Sequence, residues 1–266
     1  MKRVVFNQKG GVGKTSITCN LAAIGASMGY RTLVVDLDVQ GNTTHYLVGE
    51  IDAEAYPAEA QGVAGLFKQT VGSRRMQKNP DTFVWETDYE NLFLMPSSPT
   101  LSSMEKELES RYKIYKLRDA LSKLEDEYDR IYIDTPPNFN FYSKSALIAA
   151  DTVLVPFDCD SFARQSLYAL MDNIAELQED HNPELEVEGV VINQFNAQAR
   201  LPGELVAELE EEGYPVLQTY LGASVKMRES HREHRPLIDL APSHKLTRQY
   251  LELHAELERS ASRAAA

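Results

Sequence analysis

Residues 9–15 read KGGVGKT, directly behind the apolar run RVVF at 3–6 and directly ahead of TSITCNLAAIGASMG. Strand, glycine-rich turn, helix is the context a phosphate-cradling loop requires. Gly10, Gly11 and Gly13, with Val12 between them, allow backbone conformations that side chains would block. Successive N–H groups can then turn inward around phosphate oxygens, and the helix N-terminus adds its positive end. Lys14 is placed to reach the β- and γ-phosphates, and Thr15 to put its hydroxyl on Mg²⁺, with Ser16 beside them in the binding segment. The usual pattern G-x-x-x-x-G-K-[ST] has a glycine where this chain has Gln8, and a second lysine, Lys9, heads the loop.

Three acids complete a candidate hydrolytic site. In VVDLD, Asp36 and Asp38 are two apart, which in an extended chain puts both on one side. Asp134 ends the apolar run IYID. Ligands in open α/β sheets sit beyond the carboxyl ends of the strands, so the acids and the loop are expected at one edge. Asp134 has the position of an acid that holds Mg²⁺ through water, Asp38 is placed to orient an attacking water, and Asp36 to support the metal shell.

The elements that must position these groups are legible as alternating runs. Strands are expected at 3–6, 32–38, 91–95, 130–134, 152–157, 187–193 and 215–221, and helices at 14–28, 100–126, 142–149, 162–180, 203–212 and 243–258. Most strand candidates are continuously apolar, as strands covered on both faces are. The expected fold is therefore α/β: a doubly wound, mostly parallel sheet flanked by helices, P-loop NTPase-like with a deviant loop. A single phosphate-loop domain is expected over 1–258, with residues 50–90 as a variable insertion and 259–266 as a flexible tail. Lys68, Arg74, Arg75 and Lys78 lie in the insertion with no acid between them, which reads as a solvated segment.

Composition narrows the classes. The chain has 266 residues, 43% of them hydrophobic, and a formal charge of −13, so its overall field does not attract nucleic acid and any DNA contact needs a local basic patch. Two cysteines, Cys19 and Cys159, without metal-like spacing argue against a disulfide framework or a zinc site. With no signal-like or membrane-spanning run, a cytoplasmic protein is expected.

QKGGVGKT, VVDLDVQGNTT and YIDTPP together resemble the ParA/MinD group of ATPases with a deviant Walker A loop, and DLDVQGN at 36–42 resembles the ParA branch. The likeness runs from residue 2 to about 258 and is weakest at 50–90. It implies an ATPase that uses ATP and Mg²⁺ in a homodimer with two nucleotides sandwiched face to face. Lys9 then reaches the phosphates bound by the other subunit, like an arginine finger supplied in trans. The resemblance further implies Lys14 and Thr15 on nucleotide and Mg²⁺, Asp38 as the water-positioning acid, Asp134 at the Walker B position, and Asn193, ending VEGVVIN, beside the adenine.

ParA-type proteins bind nonspecific DNA as ATP-bound dimers, which implies nucleoid association. Between residues 226 and 248, six basic residues stand against three acidic ones. Lys226, Arg228, Arg232 and Arg235 are the expected DNA contacts, with Arg200 near the position of a family arginine that falls here on Gln198. LGASVK (221–226) departs from the family's I-P-R-N-V-R type segment. Slow hydrolysis stimulated by a ParB-like or other adaptor, which would meet an acidic surface such as Glu208–Glu212, completes the expectation. The cargo would be a plasmid, a chromosome or a protein assembly. The alternatives are a membrane-bound MinD-like ATPase, disfavoured by the acidic, alanine-rich end LELHAELERSASRAAA, a metal-carrying relative using Cys159, and a nucleotide-gated scaffold without DNA binding.

Overall fold

The computed structural model describes residues 1–49, 61–71, 77–159, 163–196 and 200–264. Among these residues seven strands form one sheet: β1 (Lys2–Val5), β2 (Thr32–Asp36), β3 (Trp85–Glu86), β4 (Leu92–Met95), β5 (Arg130–Asp134), β6 (Thr152–Asp158) and β7 (Glu186–Asn193). Their order is β3-β4-β2-β5-β1-β6-β7, parallel throughout except for the β3–β4 edge. The chain leaves β1 toward β2 on one side and later crosses from β5 over β1 to β6. The topological switch point, where such sheets bind ligands, therefore lies at the carboxyl end of β1.

Successive residues of the central strands enter opposite layers. Val4, Leu33, Val35, Ile131 and Ile133 face one core, while Val5, Val34 and Tyr132 face the other. The first core is closed by helices that include α3 (Gly62–Val71), α4 (Leu101–Ser110), α5 (Lys116–Leu121), α6 (Phe141–Ala149), α7 (Ala163–Asp180) and α8 (Arg200–Glu211). The second is closed by α1 (Lys14–Ser27), α2 (Asn42–Val48), α10 (Leu237–Leu240) and α11 (Lys245–Ala264), with α9 (Val225–Arg232) alongside. Both faces of each strand are thus covered, and this is why the strands read as unbroken apolar runs. Asp36 and Asp134 follow Val34 and Tyr132 by two residues, so both carboxylates face the α1 layer.

Several expectations are corrected. β2 ends at Asp36 rather than residue 38, because Asp36 Oδ1 accepts the Asp38 N–H at 3.1 Å and turns the chain. The segment expected as one helix over 100–126 breaks after Ser110. There Tyr112 takes φ 54°, and the N–H groups of Tyr112 and Lys113 return to the carbonyls of Glu109 and Leu108, a Schellman stop. Residues 215–221 are not a strand. They run along the outer edge of β7 and bond to it only around Val190 and Ile192. The region expected as a solvated insertion contributes α3, which buries Val63, Ala64, Leu66 and Phe67 in the core and leaves Lys68 exposed. Arg74, Arg75 and most of residues 50–62 lie outside the described residues. α2, α9 and α10 were not expected, and α11 extends six residues beyond the expected end.

Candidate nucleotide-binding site

The loop between β1 and α1 is held from outside by the end of β7. Asn193 Nδ2 donates to the Val12 carbonyl at 2.8 Å, and Gln194 Nε2 to the Gly11 carbonyl at 3.1 Å. In a trans peptide the N–H points opposite to its C=O, so the N–H groups of Val12 and Gly13 are turned away from β7. Gly13, at the N-terminus of α1, has φ 93°, and a Cβ there would lie 2.2 Å from Asn193 Nδ2. Only glycine fits this turn and this close approach. Lys14, 7% exposed, donates from Nζ to the Lys9 carbonyl at 3.0 Å and curls over the loop. Burial lowers its pKa, against the opposing charges of Asp134 and Asp38. Asn7 braces the loop's other end, accepting the Lys9 N–H at 2.8 Å and donating to the Pro156 carbonyl at 2.7 Å. Lys9 is half-buried at the head of the loop.

Asp36 and Asp134 are register partners on β2 and β5. Asp134 Oδ2 accepts the hydroxyls of Thr15 at 2.7 Å and Thr43 at 2.6 Å, while its Oδ1 is buried without a hydrogen-bond partner. A buried carboxylate oxygen left unmatched is costly. A hard cation beside Thr15, or its water, is what this donor set fits. Asp36 Oδ2 accepts the Thr44 N–H at 2.8 Å and its hydroxyl at 2.6 Å. With the Asp38 N–H on Oδ1, Asp36 therefore anchors the whole 38–44 turn. Asp38, 8% exposed, accepts the Gln40 N–H, and its carbonyl takes the Ser97 hydroxyl at 2.5 Å. Burial, then the charge of Asp134, raises the Asp36 pKa to about 8; burial raises that of Asp134 to about 6, against the two threonine hydroxyls.

A cavity of about 280 Å³ opens beside the loop, lined by Gly11, Gly13, Ser16, Asn193, Met227, Arg228, His231 and Tyr250 among others. α9 forms one wall. Ser224 caps it, accepting the Lys226 N–H at 3.1 Å.

The tertiary structure thus brings Lys9, Gly10–Ser16, Asp36, Asp38, Asp134 and Asn193 to one end of the sheet. Arg228 is exposed and also lines the cavity. Lys226 pairs with Glu229, Arg232 with Glu233 at 3.3 Å, and Arg235 with Asp239 at 2.7 Å. The side chain of Arg200, at the start of α8, and all of Gln198 lie outside the described residues. In the expected adaptor surface, Arg164 bridges Glu208 at 2.9 Å and Glu212 at 2.5 Å. Cys19 is buried in the core with Sγ 3.5 Å from the Thr43 hydroxyl, and Cys159 packs against the opposite core. Among the described residues no group of three or more His, Cys, Asp or Glu side chains is placed to hold a metal ion, and no helix is long and apolar enough to cross a membrane.

Sequence reasoning missed Thr43, Thr44, Gln194 and His231. The hydroxyl pair Thr43–Thr44, just after the DLDVQGN turn, is a signal that could have been read. Ser16 Oγ and His231 Nε2 are 2.8 Å apart across 215 residues of chain, and no local pattern announces that contact.

A family model described as an AAA domain matches residues 2–187. The chromosome partitioning protein ParA of Myxococcus xanthus is 33% identical over 258 residues, spanning 95% of this chain and 86% of that protein. Among solved structures, cobyrinic acid a,c-diamide synthase from Mycobacterium smegmatis with bound ATP analog and magnesium has TM-score 0.73 at 28% identity, covering 87% of this chain and 91% of its own. Apo McdA from Cyanothece shares the fold, with TM-score 0.82 at 21% identity over 97% and 98% of the two chains.

Proposed function

The chain belongs to the AAA-domain family, among the ParA/MinD-type ATPases with a deviant phosphate loop, and from that premise we propose that it is an ATP-dependent partition or positioning ATPase. The observation that carries the reading is the convergence of the Thr15 and Thr43 hydroxyls on Asp134, with its second oxygen buried and unmatched next to Lys14. Lys14 and the loop N–H groups bind the β- and γ-phosphates, and Thr15 and Asp134 hold Mg²⁺, which neutralises phosphate charge when bound. Asp38 accepts a hydrogen bond from the attacking water. That water forms the new bond to the γ-phosphorus as the bond to the ADP oxygen breaks, giving ADP and phosphate. Asp36 positions Asp38 by holding the 38–44 turn. Asn193 Nδ2 is committed to Val12, so its carbonyl oxygen is the group left to accept from the adenine amine.

Lys9 acts in the second subunit of an ATP-bound sandwich dimer, where a cation stabilises charge on the transferring phosphoryl group. Turnover is slow alone and rises with an adaptor protein, so that release is timed by the cargo. The apolar face of α11 supports a reading without membrane anchoring. Leu246, Tyr250, Leu253 and Leu257 are spent in the core against α1.

The ATP-bound dimer binds DNA nonspecifically through the outer face of α9. Half-buried Lys226 and exposed Arg232 on α9, and exposed Arg235 just after it, are paired with acids of the same chain, which favours weak, salt-sensitive retention. Those pairs also favour a second reading, a nucleotide-gated scaffold that does not bind DNA. Retention on DNA with ATP, ADP and no nucleotide, alongside ATPase rates with and without DNA, separates them. Retention with ATP alone supports the partition cycle; equal absence of retention in all three moves the chain to the scaffold reading.

A further inference from the structure

α9 reaches into the phosphate loop through one side chain. His231 Nε2 lies 2.8 Å from Ser16 Oγ. Its ring is stacked on Tyr46, with centroids 4.2 Å apart and planes 16° from parallel. Tyr46 is itself fixed: its hydroxyl bonds to Ser230 and accepts from Asn20 Nδ2 at 3.1 Å, and Asn20 also donates to the Ser16 carbonyl at 2.8 Å. The imidazole is therefore locked in orientation by residues of α1, α2 and α9. It forms part of the wall of the nucleotide cavity, and of a second cavity of about 320 Å³ that Thr15, Asn42 and His45 line.

A serine hydroxyl has one proton to donate and lone pairs to accept with. When Ser16 gives that proton to His231, it presents only oxygen lone pairs to the cavity. When the imidazole N–H donates to Ser16, the serine proton is released toward whatever stands in front of the loop. An anion there favours the second arrangement. Burial lowers the His231 pKa, followed by the charge of His234, so the ring is held neutral with one nitrogen free to donate and the other to accept. We propose that His231 is a positioning residue of the nucleotide site, donating from Nε2 to Ser16 Oγ so that the Ser16 proton is directed at a nucleotide phosphate oxygen. The proposal rests on the nucleotide-binding reading above. It assigns α9 a direct hydrogen bond to the loop that senses phosphate.

The test is a double-mutant cycle on affinity for a fluorescent ADP analogue, with apo thermal melting recorded for each variant. His231→Phe keeps a ring to stack on Tyr46 and removes the donor. His231→Gln places an amide N–H at similar reach. Ser16→Ala and His231→Phe are each expected to weaken binding about tenfold, the loss of one hydrogen bond to a charged group. The double variant should be no weaker than either single one, and His231→Gln should stay within about threefold of wild type. Unchanged affinity in His231→Phe overturns the proposal, and so does a double variant whose losses multiply or a Gln variant as weak as Phe. Lys14→Ala is the control: if wild type binds no better than Lys14→Ala, the nucleotide-binding reading itself falls, whereas tight wild-type binding with an unaffected His231→Phe removes only the role of His231.

Discussion

Asp36 and Asp134 stand side by side on β2 and β5, both wholly buried, with their carboxylates turned toward the same helix. Two acids in that position cannot both carry charge cheaply without a cation between or beside them. Burial lifts them to about 8 and about 6, from an ordinary value of 3.8. Between those limits the folded chain holds protons that the unfolded chain has lost, so stability falls as pH rises through that window. The limit is about 1.4 kcal/mol per pH unit for each proton retained. Urea unfolding of the nucleotide-free protein should show higher stability at pH 5.5 than at pH 8.5, and Asp134→Asn should flatten the decline between pH 5.5 and 7. An unchanged slope in Asp134→Asn would mean that Asp134 is already ionised in the fold; the variant is the decisive comparison, because burial also lowers the pKa of His231 and His254, which favours the fold as pH rises.

The two lysines of the loop should separate. Lys14→Ala is expected to abolish nucleotide binding, since Lys14 is buried against the loop and faces Asp134 and Asp38. Lys9→Ala should bind nucleotide almost normally and fail to dimerise with ATP, as read by light scattering on a hydrolysis-deficient Asp38→Ala background. Normal dimerisation of that double variant would end the idea of a lysine acting across the dimer.

Gly13→Ala tests the clamp from β7. A methyl group cannot fit 2.2 Å from Asn193 Nδ2, and the left-handed φ adds strain of about 1–3 kcal/mol. Loss of nucleotide binding together with a lowered melting temperature is expected. A variant that melts and binds as wild type would show that Asn193 does not hold the loop.

Arg228 should behave unlike its neighbours. It lines the nucleotide cavity, whereas Lys226, Arg232 and Arg235 lie in ion pairs with acids close to them in the chain. Arg228→Glu is expected to weaken ATP binding by about tenfold or more, as unfavourable charge at a phosphate site does. Charge reversal at Arg232 and Arg235 should leave ATP affinity intact and lower the salt dependence of any DNA retention. If both changes act only on DNA, Arg228 belongs to the outer face in solution.

Arg3 and Glu188 form a buried pair between β1 and β7, at 2.5 Å and nearly without solvent exposure. Glu188→Ala would strand a guanidinium in the core next to Tyr132, and should cost about 3–5 kcal/mol in chemical denaturation. The site residues are remote from this change, so nucleotide affinity should persist below the new unfolding midpoint. A loss under about 1 kcal/mol would mean water reaches Arg3.

Much of the site was legible from local pattern. KGGVGKT has glycines where the backbone must turn and a lysine and threonine where charge and hydroxyl are needed. IYID and VVDLD end apolar runs in acids, and strand ends are where ligands gather. Six of the seven expected strands form, because residues buried on both faces leave an unbroken apolar signature. The seventh, 215–221, carries the same signature, but its apolar residues cover the edge of β7 instead of entering the ladder. α3 was misread for the opposite reason. It follows a loop-like stretch and carries lysine and glutamine among its apolar residues, and only contact with the sheet shows that one face is core.

Residue type and spacing determined which groups this protein has for phosphate chemistry and at which end of their strands they lie. Those features depend on turn geometry and on periods of two residues, which act within a few positions of each other. Sheet order and packing decided the rest. They made Asp36 and Asp134 neighbours, placed the Asn193 amide against Gly13, set Arg228 on the rim of the cavity that Gly11 and Gly13 line, and brought His231 to Ser16. Each of those contacts joins segments far apart in the chain, and its strength depends on burial that no single segment possesses before the layers close.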